Sequence, residues 1–340
     1  LATTIGLTIT MQAGLALQIV ALSMLVVDSS ILNVVYVMIA QALSGIGKDL
    51  NKMGAKASIK SLVPADAQGR LYRWIALLTG SKNALKGVGF FLGGWLLATV
   101  GFQSAVATMA TALSGVLILS ILMLDRSMGI AKKPQPLKHL FSKSSAVNRL
   151  SAARFFLFGS RDIWFVVALP VFLQSQLQWS YVQVGSMMAA WVMAYGVVQT
   201  LAPKVTNTGN KETNITHPSG STAFKWAVLL CLIPAAIGAT LYAAGSDPSL
   251  LAVVLVTGLM IFGAFFAINS SIHSYLIVAY AREDGTSLDV GFYYMCNAAG
   301  RLVGTLLSGL VYQQFGLTAC LLLSSLMLVA TAAISKKLPA

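Results

Sequence analysis

Residues 78–101 read LTGSKNALKGVGFFLGGWLLATVG. The stretch is predominantly apolar and long enough to cross a hydrocarbon core of roughly 30 Å. It nevertheless carries Lys82 and Lys86 one helical turn apart, next to Ser81 and Asn83, and a series of glycines that includes Gly87, Gly89, Gly93 and Gly94. A membrane helix tolerates an ammonium group near its middle only where the group faces protein or water. Glycine does not argue against a helix here, because neighbouring helices and side chains satisfy freed backbone groups. Most simply, the glycines allow close helix approach.

Shifting this stretch by 215 residues lays Lys86 on Arg301, Gly89 on Gly304, Gly94 on Gly309 and Gly101 on Gly316. Repeated halves are what many secondary transporters are built from; chance similarity of glycine-rich helices is the alternative. The chain as a whole has the same character. Its 340 residues are 57% hydrophobic and 10% charged, with a mean hydropathy of +0.78, whereas soluble domains are about half apolar and a quarter charged. Apolar runs near 9–27, 30–62, 70–99, 103–124, 148–175, 181–202, 224–244, 249–281, 286–312 and 316–335 predict an all-α membrane protein with ten transmembrane helices.

Twenty-three Lys and Arg against ten Asp and Glu give a formal charge of +13, which in a soluble protein would raise nucleic-acid binding. Placement decides against that. Arg126, Lys132, Lys133, Lys138 and Lys143 fall between 125 and 149, Lys204 and Lys211 in or beside 203–223, and Lys336 and Lys337 in the tail. The alternate connections near Asp28, Gly101, Gln178, Asp247 and Gln314 hold no Lys or Arg, so the basic loops are expected in the cytoplasm. The long basic connection divides the chain into an incomplete first half of four helices (1–124), a cytoplasmic central loop (125–147) and a six-helix second half (148–340). Two six-helix halves would need two more helices at the front, making twelve. Residue 1 is Leu and no basic n-region with a cleavage site follows, so no signal peptide is expected and the start reads as a truncation.

The segment 203–221 reads as a flexible polar loop, and the glycosylation triplet at Asn214 falls on the cytoplasmic side by this topology. Cys231, Cys296 and Cys320 lie in apolar runs without metal-type spacing, so neither a disulfide nor a metal site is expected, and no cofactor.

Charge inside the helices carries the chemistry. Lys48, Lys52, Lys56 and Lys60 recur every four residues, a stripe drifting slowly around one helix face. Arg161 and Arg301 sit inside the fifth and ninth spans. A base at the bilayer centre costs about 2.5–3.5 kcal/mol on insertion scales, so these groups need anions. The acids within spans, Asp49, Asp162 and Asp289, are fewer than the bases. An anionic ligand with several oxygens would supply the missing partners, Lys acting as a point charge and Arg as a bidentate fork. The expected substrate-binding set is Lys48, Lys52, Lys82, Asn83, Lys86, Arg161 and Arg301, around an organic polyanion, with phosphorylation expected. Asp49 beside Lys48 and Asp162 beside Arg161 are either plain charge partners or, like Asp289, candidates for proton coupling. Lys56, Lys60, Arg73 and Arg154 read as snorkelling anchors near the cytoplasmic face. His139 and His217 lie in loops, whereas His273 with Asn269 either lines a cavity or is a satisfied buried imidazole.

The run KGVGFFLGGWLL (86–97), the loop VPADAQGRLYRW (63–74), the ten spans and the basic central loop resemble the major facilitator superfamily over essentially the whole chain. Phe90 stands where the antiporter signature of that family usually has proline. The opening LATTIGLT (1–8) resembles the end of the family's loop between helices two and three, with Thr3 where an acid is typical. Within the superfamily, SGIGKDLNKMGAKASIKSLVP (44–64), LTGSKNALKGVGFFLGG (78–94) and SAARFFLFGSRDIWFVVALPVF (151–172) resemble the organoarsenical efflux transporters called ArsJ.

That resemblance implies export of 1-arseno-3-phosphoglycerate across a bacterial inner membrane, arsenate resistance, and a functional link to the glyceraldehyde-3-phosphate dehydrogenase that forms the ester. Apart from that link, the expected partners are the anionic substrate and membrane lipid, and no nucleic acid. Another organophosphate or a drug is the alternative cargo. The chain lacks a GxxxxGK[ST] loop, so a gradient rather than ATP is expected to drive movement. A membrane transferase would need a paired-carboxylate motif or a nucleophile–base pair; neither shows, and no enzyme is expected.

Overall fold

The computed structural model describes residues 6–28, 31–32, 34–62, 68–124, 144–206, 217–245, 247–282 and 286–339. Among these residues the regular structure is helical throughout. The elements are α1 Leu7–Ser23, prolonged by a 3₁₀ turn Met24–Val26, then α2 Val34–Leu62, α3 Gln68–Met123, α4 Ser145–Phe165, α5 Ala168–Ser175, α6 Tyr181–Val205, α7 Gly220–Ala244, α8 Pro248–Tyr280 and α9 Thr286–Ser335. Seven stretches among the described residues are long and apolar enough to cross a membrane, the last of them, Leu288–Ser335, 48 residues long. At 29 residues α2 is about 43 Å long, which also exceeds the hydrocarbon thickness.

All ten expected spans fall on these helices, two of them on α3 and two on α9. Each of these long helices is interrupted once, at Gly101 (φ 75°, ψ 173°) and at Gly316 (φ 75°, ψ −173°). This extended region at positive φ is open essentially only to glycine. The two breaks are 215 residues apart, so the shift that aligns the sequences also aligns their backbone conformations. The span expected at 148–175 is broken differently. Pro170 has no N–H, and its ring clashes with the carbonyl four residues back, at Val166; α4 ends at Phe165 and α5 begins at Ala168. The freed Ala168 N–H donates to Ser308 Oγ at 3.1 Å, the kind of side-chain rescue that lets proline sit in membrane helices.

Packing divides the chain into two compact units. The first comprises Leu1–Pro64, Gly89–His139 and Arg282–Val290. In it α1 crosses α2 backbone to backbone: a Cβ on Gly14 would lie 2.8 Å from the Gly47 carbonyl oxygen, and one on Gly47 would lie 2.6 Å from that of Gly14. Gln12 Nε2 donates to Ser120 O at 3.2 Å, and Gln103 Nε2 to Val27 O at 3.0 Å.

The second unit comprises Ala65–Val88, Leu140–Ala281 and Gly291–Ala340. Its core is aromatic. Trp164 meets Phe262 edge-on at 5.0 Å, Trp191 stacks on Tyr195 at 5.7 Å, and Trp191 Nε1 donates to Leu259 O at 2.8 Å. Such pairs add about 0.5–1.5 kcal/mol beyond area burial, and they hold α4, α6 and α8 together. The 68–88 part of α3 lies against α6 through Gly80, Ala84 and Gly87, where added Cβ atoms on Gly80 and Gly87 would run into Gly196 and Thr200, and into Met193. α8 starts on a strong cap: Asp247 Oδ1 accepts from Ser249 N (2.9 Å), Leu250 N (3.4 Å) and Ser249 Oγ (2.7 Å), with Pro248 in the first turn. These donors, the Ser249 hydroxyl foremost, hold the exposed Asp247 carboxyl below its ordinary range.

Candidate functional site

Four ionisable side chains of the second unit, Arg154, Arg161, Asp162 and Arg301, gather where α4 crosses α9. Gly159, Gly300 and Gly304 make the crossing close. A Cβ on Gly300 would collide with the Phe155 backbone, and one on Gly304 would lie 3.0 Å from Gly159 Cα and 3.2 Å from Asp162 Cβ. Arg301, between those two glycines, is thereby brought to Asp162: its Nε donates to Asp162 Oδ2 at 2.8 Å. The other carboxylate oxygen, Oδ1, accepts from Arg161 Nε at 2.6 Å and Nη2 at 2.5 Å. Asp162 is fully buried, Arg161 is 13% exposed and Arg301 46%. One buried carboxylate thus holds two guanidinium groups, and the triad carries net positive charge.

Residues 154, 158 and 161 stand at i, i+4 and i+7 on α4, hence on one face. Phe158 accordingly receives two cations, with the Arg154 guanidinium carbon 3.9 Å and that of Arg161 4.9 Å from its ring centroid. Arg154 also lies over Tyr293 at 5.1 Å. The reading of Arg154 as a snorkelling anchor is corrected here: only 4% of it is exposed. Its Nε donates to Asn297 Oδ1 (3.1 Å) and its Nη1 to Ser270 O (3.3 Å) and Oγ (3.1 Å). Neutral oxygens and ring faces, not the lipid headgroup region, hold this cation. The i, i+4, i+7 spacing of arginine, phenylalanine and arginine was the sequence signal that could have revealed it.

Asn83 enters a hydrogen-bond relay. Its Nδ2 donates to Gln199 Oε1 at 2.6 Å, and Gln199 Nε2 donates to Ser270 Oγ at 3.3 Å, the hydroxyl that also accepts from Arg154. Lys82 and Lys86 are exposed, and at 100° per residue they fall on the side of α3 away from its Gly80–Ala84–Gly87 contact with α6. Asn269 and His273 are fully buried on α8, and neither the amide of Asn269 nor either ring nitrogen of His273 has a hydrogen-bond partner among the described residues.

The remaining expected residues belong to the first unit. Lys48 and Asp49 are exposed on α2; Lys52 is in α2, with its side chain outside the described residues, as are those of Lys56 and Lys60. Asp289 is fully buried and held by a fork from Arg282, whose Nε and Nη2 donate to its two oxygens at 3.2 and 3.1 Å. The central loop 125–143 and the triplet at Asn214 lie outside the described residues. Among the described residues no three His, Cys, Asp or Glu side chains come together as a metal site would require. A cleft of about 240 Å³ lined by residues such as Phe172, Gln176, Leu241 and Thr318 carries no ionisable group.

The family model described as Major Facilitator Superfamily matches residues 1–224. No curated protein matches the chain in sequence. Among solved structures, the chain is similar to the human organic anion transporter MFSD10 (TETRAN), with TM-score 0.75 and 16% identity over 98% of this chain and 78% of that one. It is also similar to a bacterial homologue of the iron transporter ferroportin in its outward-facing state with soaked iron, with TM-score 0.76 and 15% identity over 99% and 84%. A third similarity is to the E. coli fucose:proton symporter FucP, with TM-score 0.70 and 11% identity over 98% and 84%.

Proposed function

The chain belongs to the major facilitator superfamily, and from that premise we propose that this multi-pass membrane transporter is a secondary active exporter of an organic polyanion, 1-arseno-3-phosphoglycerate. The observation that carries the proposal is the charge balance of the second unit. Within its helices Asp162 is the only carboxylate, and it is shared by Arg161 and Arg301, while Arg154 is buried beside neutral partners. Buried or half-buried cations in such excess need an anion from outside the protein. The organoarsenical-exporter strings at 44–64, 78–94 and 151–172 favour the arsenic ester among phosphorylated anions, and an organic anion transporter of the same fold is a precedent for the cargo class.

On this proposal Arg161 and Arg301, with Lys82, Asn83 and Lys86, bind the phosphate, arsenate and carboxylate groups. Asn269 and His273 line the path. Asp162 or Asp49 takes up and releases a proton as cargo moves, with Asp289 the third candidate, so export is antiport driven by a proton gradient across the bacterial inner membrane. The cargo is supplied by glyceraldehyde-3-phosphate dehydrogenase accepting arsenate, and its hydrolysis after export makes the step a route to arsenate resistance. The same basic groups would suit another organophosphate, which is the second reading.

The test uses everted membrane vesicles supplied with glyceraldehyde-3-phosphate, NAD, the dehydrogenase and radiolabelled arsenate. Accumulation of label that needs every component is the expected result. Absence of accumulation in vesicles that contain the protein sinks the arsenical assignment, and accumulation unchanged after collapse of the pH gradient sinks proton antiport.

A further inference from the structure

We propose that Arg154, Asn269 and His273 form a buried subsite for one small anionic group, separate from the Arg161–Asp162–Arg301 triad; the proposal rests on the reading of the cargo as an anion. Arg154 is 4% exposed and, among the described residues, has no carboxylate partner. A guanidinium offers five N–H donors, and its bonds to Asn297 and Ser270 use only Nε and Nη1. The face of α8 that meets it is polar: Asn269, Ser270, His273 and Ser274 recur at i, i+1, i+4 and i+5, and all four are fully buried. Of these, Asn269 and His273 have polar atoms without a hydrogen-bond partner among the described residues.

What these groups lack in common is an acceptor. Neutral imidazole supplies one N–H and the asparagine amide two, beside the unused amino group of Arg154. Buried water could satisfy the neutral groups, but only an anion offsets the charge. Ser270 ties the subsite to the relay through Gln199 to Asn83, so Arg154 is held in place from α6 and α3 as well as from α9. The anion is either an oxyanion group of the cargo or a free halide; both would take the same donors.

The experiment measures thermal unfolding of the purified full chain in detergent against rising sodium phosphate, 3-phosphoglycerate or sodium chloride, with sodium gluconate matching ionic strength. Anion-dependent protection is expected for the wild type, with apparent affinity weakened about tenfold or more in His273→Gln, Asn269→Ala and Arg154→Lys, and retained in a Gly115→Ala control. Protection by phosphate and 3-phosphoglycerate but not chloride assigns the site to the cargo's oxyanion; protection by chloride as well assigns a free small anion. If Arg154→Lys does not fold, the two neutral substitutions carry the test. Equal protection of the wild type and both neutral variants, or no protection of the wild type by any of the three salts, overturns the subsite. Selective protection in a chain that moves no arsenical would retain the subsite and remove the cargo assignment. Arsenical transport without such protection would do the reverse.

Discussion

Gly101 and Gly316 hold the same backbone conformation, φ 75° with ψ 173° and φ 75° with ψ −173°, at positions related by the 215-residue repeat. Each is the break that lets two apolar helices follow one another within a single long one. No Cβ is tolerated in that region without strain of about 1–3 kcal/mol. Neither glycine has a neighbour within 4 Å of a built Cβ, so the penalty is conformational rather than steric. Gly101→Ala and Gly316→Ala are each expected to lower the thermal unfolding midpoint in detergent by that free energy. Gly115→Ala, in regular helix with the same open space, is the comparison and should leave the midpoint unchanged or raise it.

The crossing of α4 and α9 predicts a different kind of failure. Gly300→Ala drives a methyl group into the Phe155 backbone, which cannot yield as a side chain can, whereas Gly309→Ala meets open space. Overpacking of this kind costs about 1–3 kcal/mol. It should also separate Arg301 from Asp162. Thermal unfolding of the two variants tests the first consequence, and a double-mutant cycle of Gly300→Ala with Arg301→Gln the second: additive losses would show that the ion pair does not depend on the crossing.

Asp162 anchors the triad, so its loss should exceed that of either arginine. Asp162→Asn leaves two guanidinium groups around a neutral amide, and removing one partner of a buried pair costs about 3–5 kcal/mol. Arg301 is nearly half exposed, so solvent screens its contribution and Arg301→Gln should cost no more than about 1 kcal/mol. Unfolding midpoints of the two variants side by side check the order; an Arg301→Gln loss equal to that of Asp162→Asn would contradict it.

How far the sequence disclosed this arrangement differs between fold and site. The ten spans were legible because apolar runs mark membrane helices directly, and the glycine pairs because the shift preserves their spacing. The break at Val166, four residues before Pro170, was not foreseen, because 148–175 read as a single span. The pairing of Arg301 with Asp162 was not legible: both were singled out, but only the crossing at Gly159, Gly300 and Gly304 joins helices 139 residues apart in sequence. Arg154 was misread because its place in the chain, close to the basic central loop, suits an anchor as well as a buried cation. Phe158 one turn on was the only local clue; the hydrogen-bond partners of Arg154 come from Ser270 on α8 and Asn297 on α9, which no local pattern connects to it. Arg282 escaped notice as the partner of Asp289 because it lies just outside the apolar runs.

The cap of α8 gives the pH prediction. Donors from Ser249 and Leu250 favour the ionised Asp247, so its folded carboxyl titrates below the ordinary value. A depressed folded value means that the stabilisation is present above the unfolded carboxylate range and is lost as pH falls through the folded value. Amide exchange at Ser249 and Leu250 should therefore accelerate, relative to the centre of α8, as the medium is acidified below the usual aspartate range. Asp247→Asn, which can still accept at its amide oxygen, should flatten that pH dependence while largely preserving the cap; an unchanged profile in that variant would place the titration elsewhere.

The assignment of cargo contacts predicts graded losses among the bases. Lys86 and Arg301 are repeat-equivalent, one on the exposed side of α3 and the other beside Asp162 on α9. If each meets an oxygen of the cargo, a charge-assisted hydrogen bond contributes roughly 1.5–3 kcal/mol, and losing it weakens binding about ten- to a hundredfold. Lys86→Gln and Arg301→Gln should therefore raise the concentration of cargo needed for half-maximal vesicle uptake by that factor and reduce arsenate resistance in cells. Lys133→Gln, in the basic segment outside the described residues, should alter neither. Because Arg301 also binds Asp162, its variant needs a stability check at equal expression, whereas Lys86 allows the cleaner comparison. Uptake by Lys86→Gln indistinguishable from Lys133→Gln at equal expression would remove Lys86 from the cargo site.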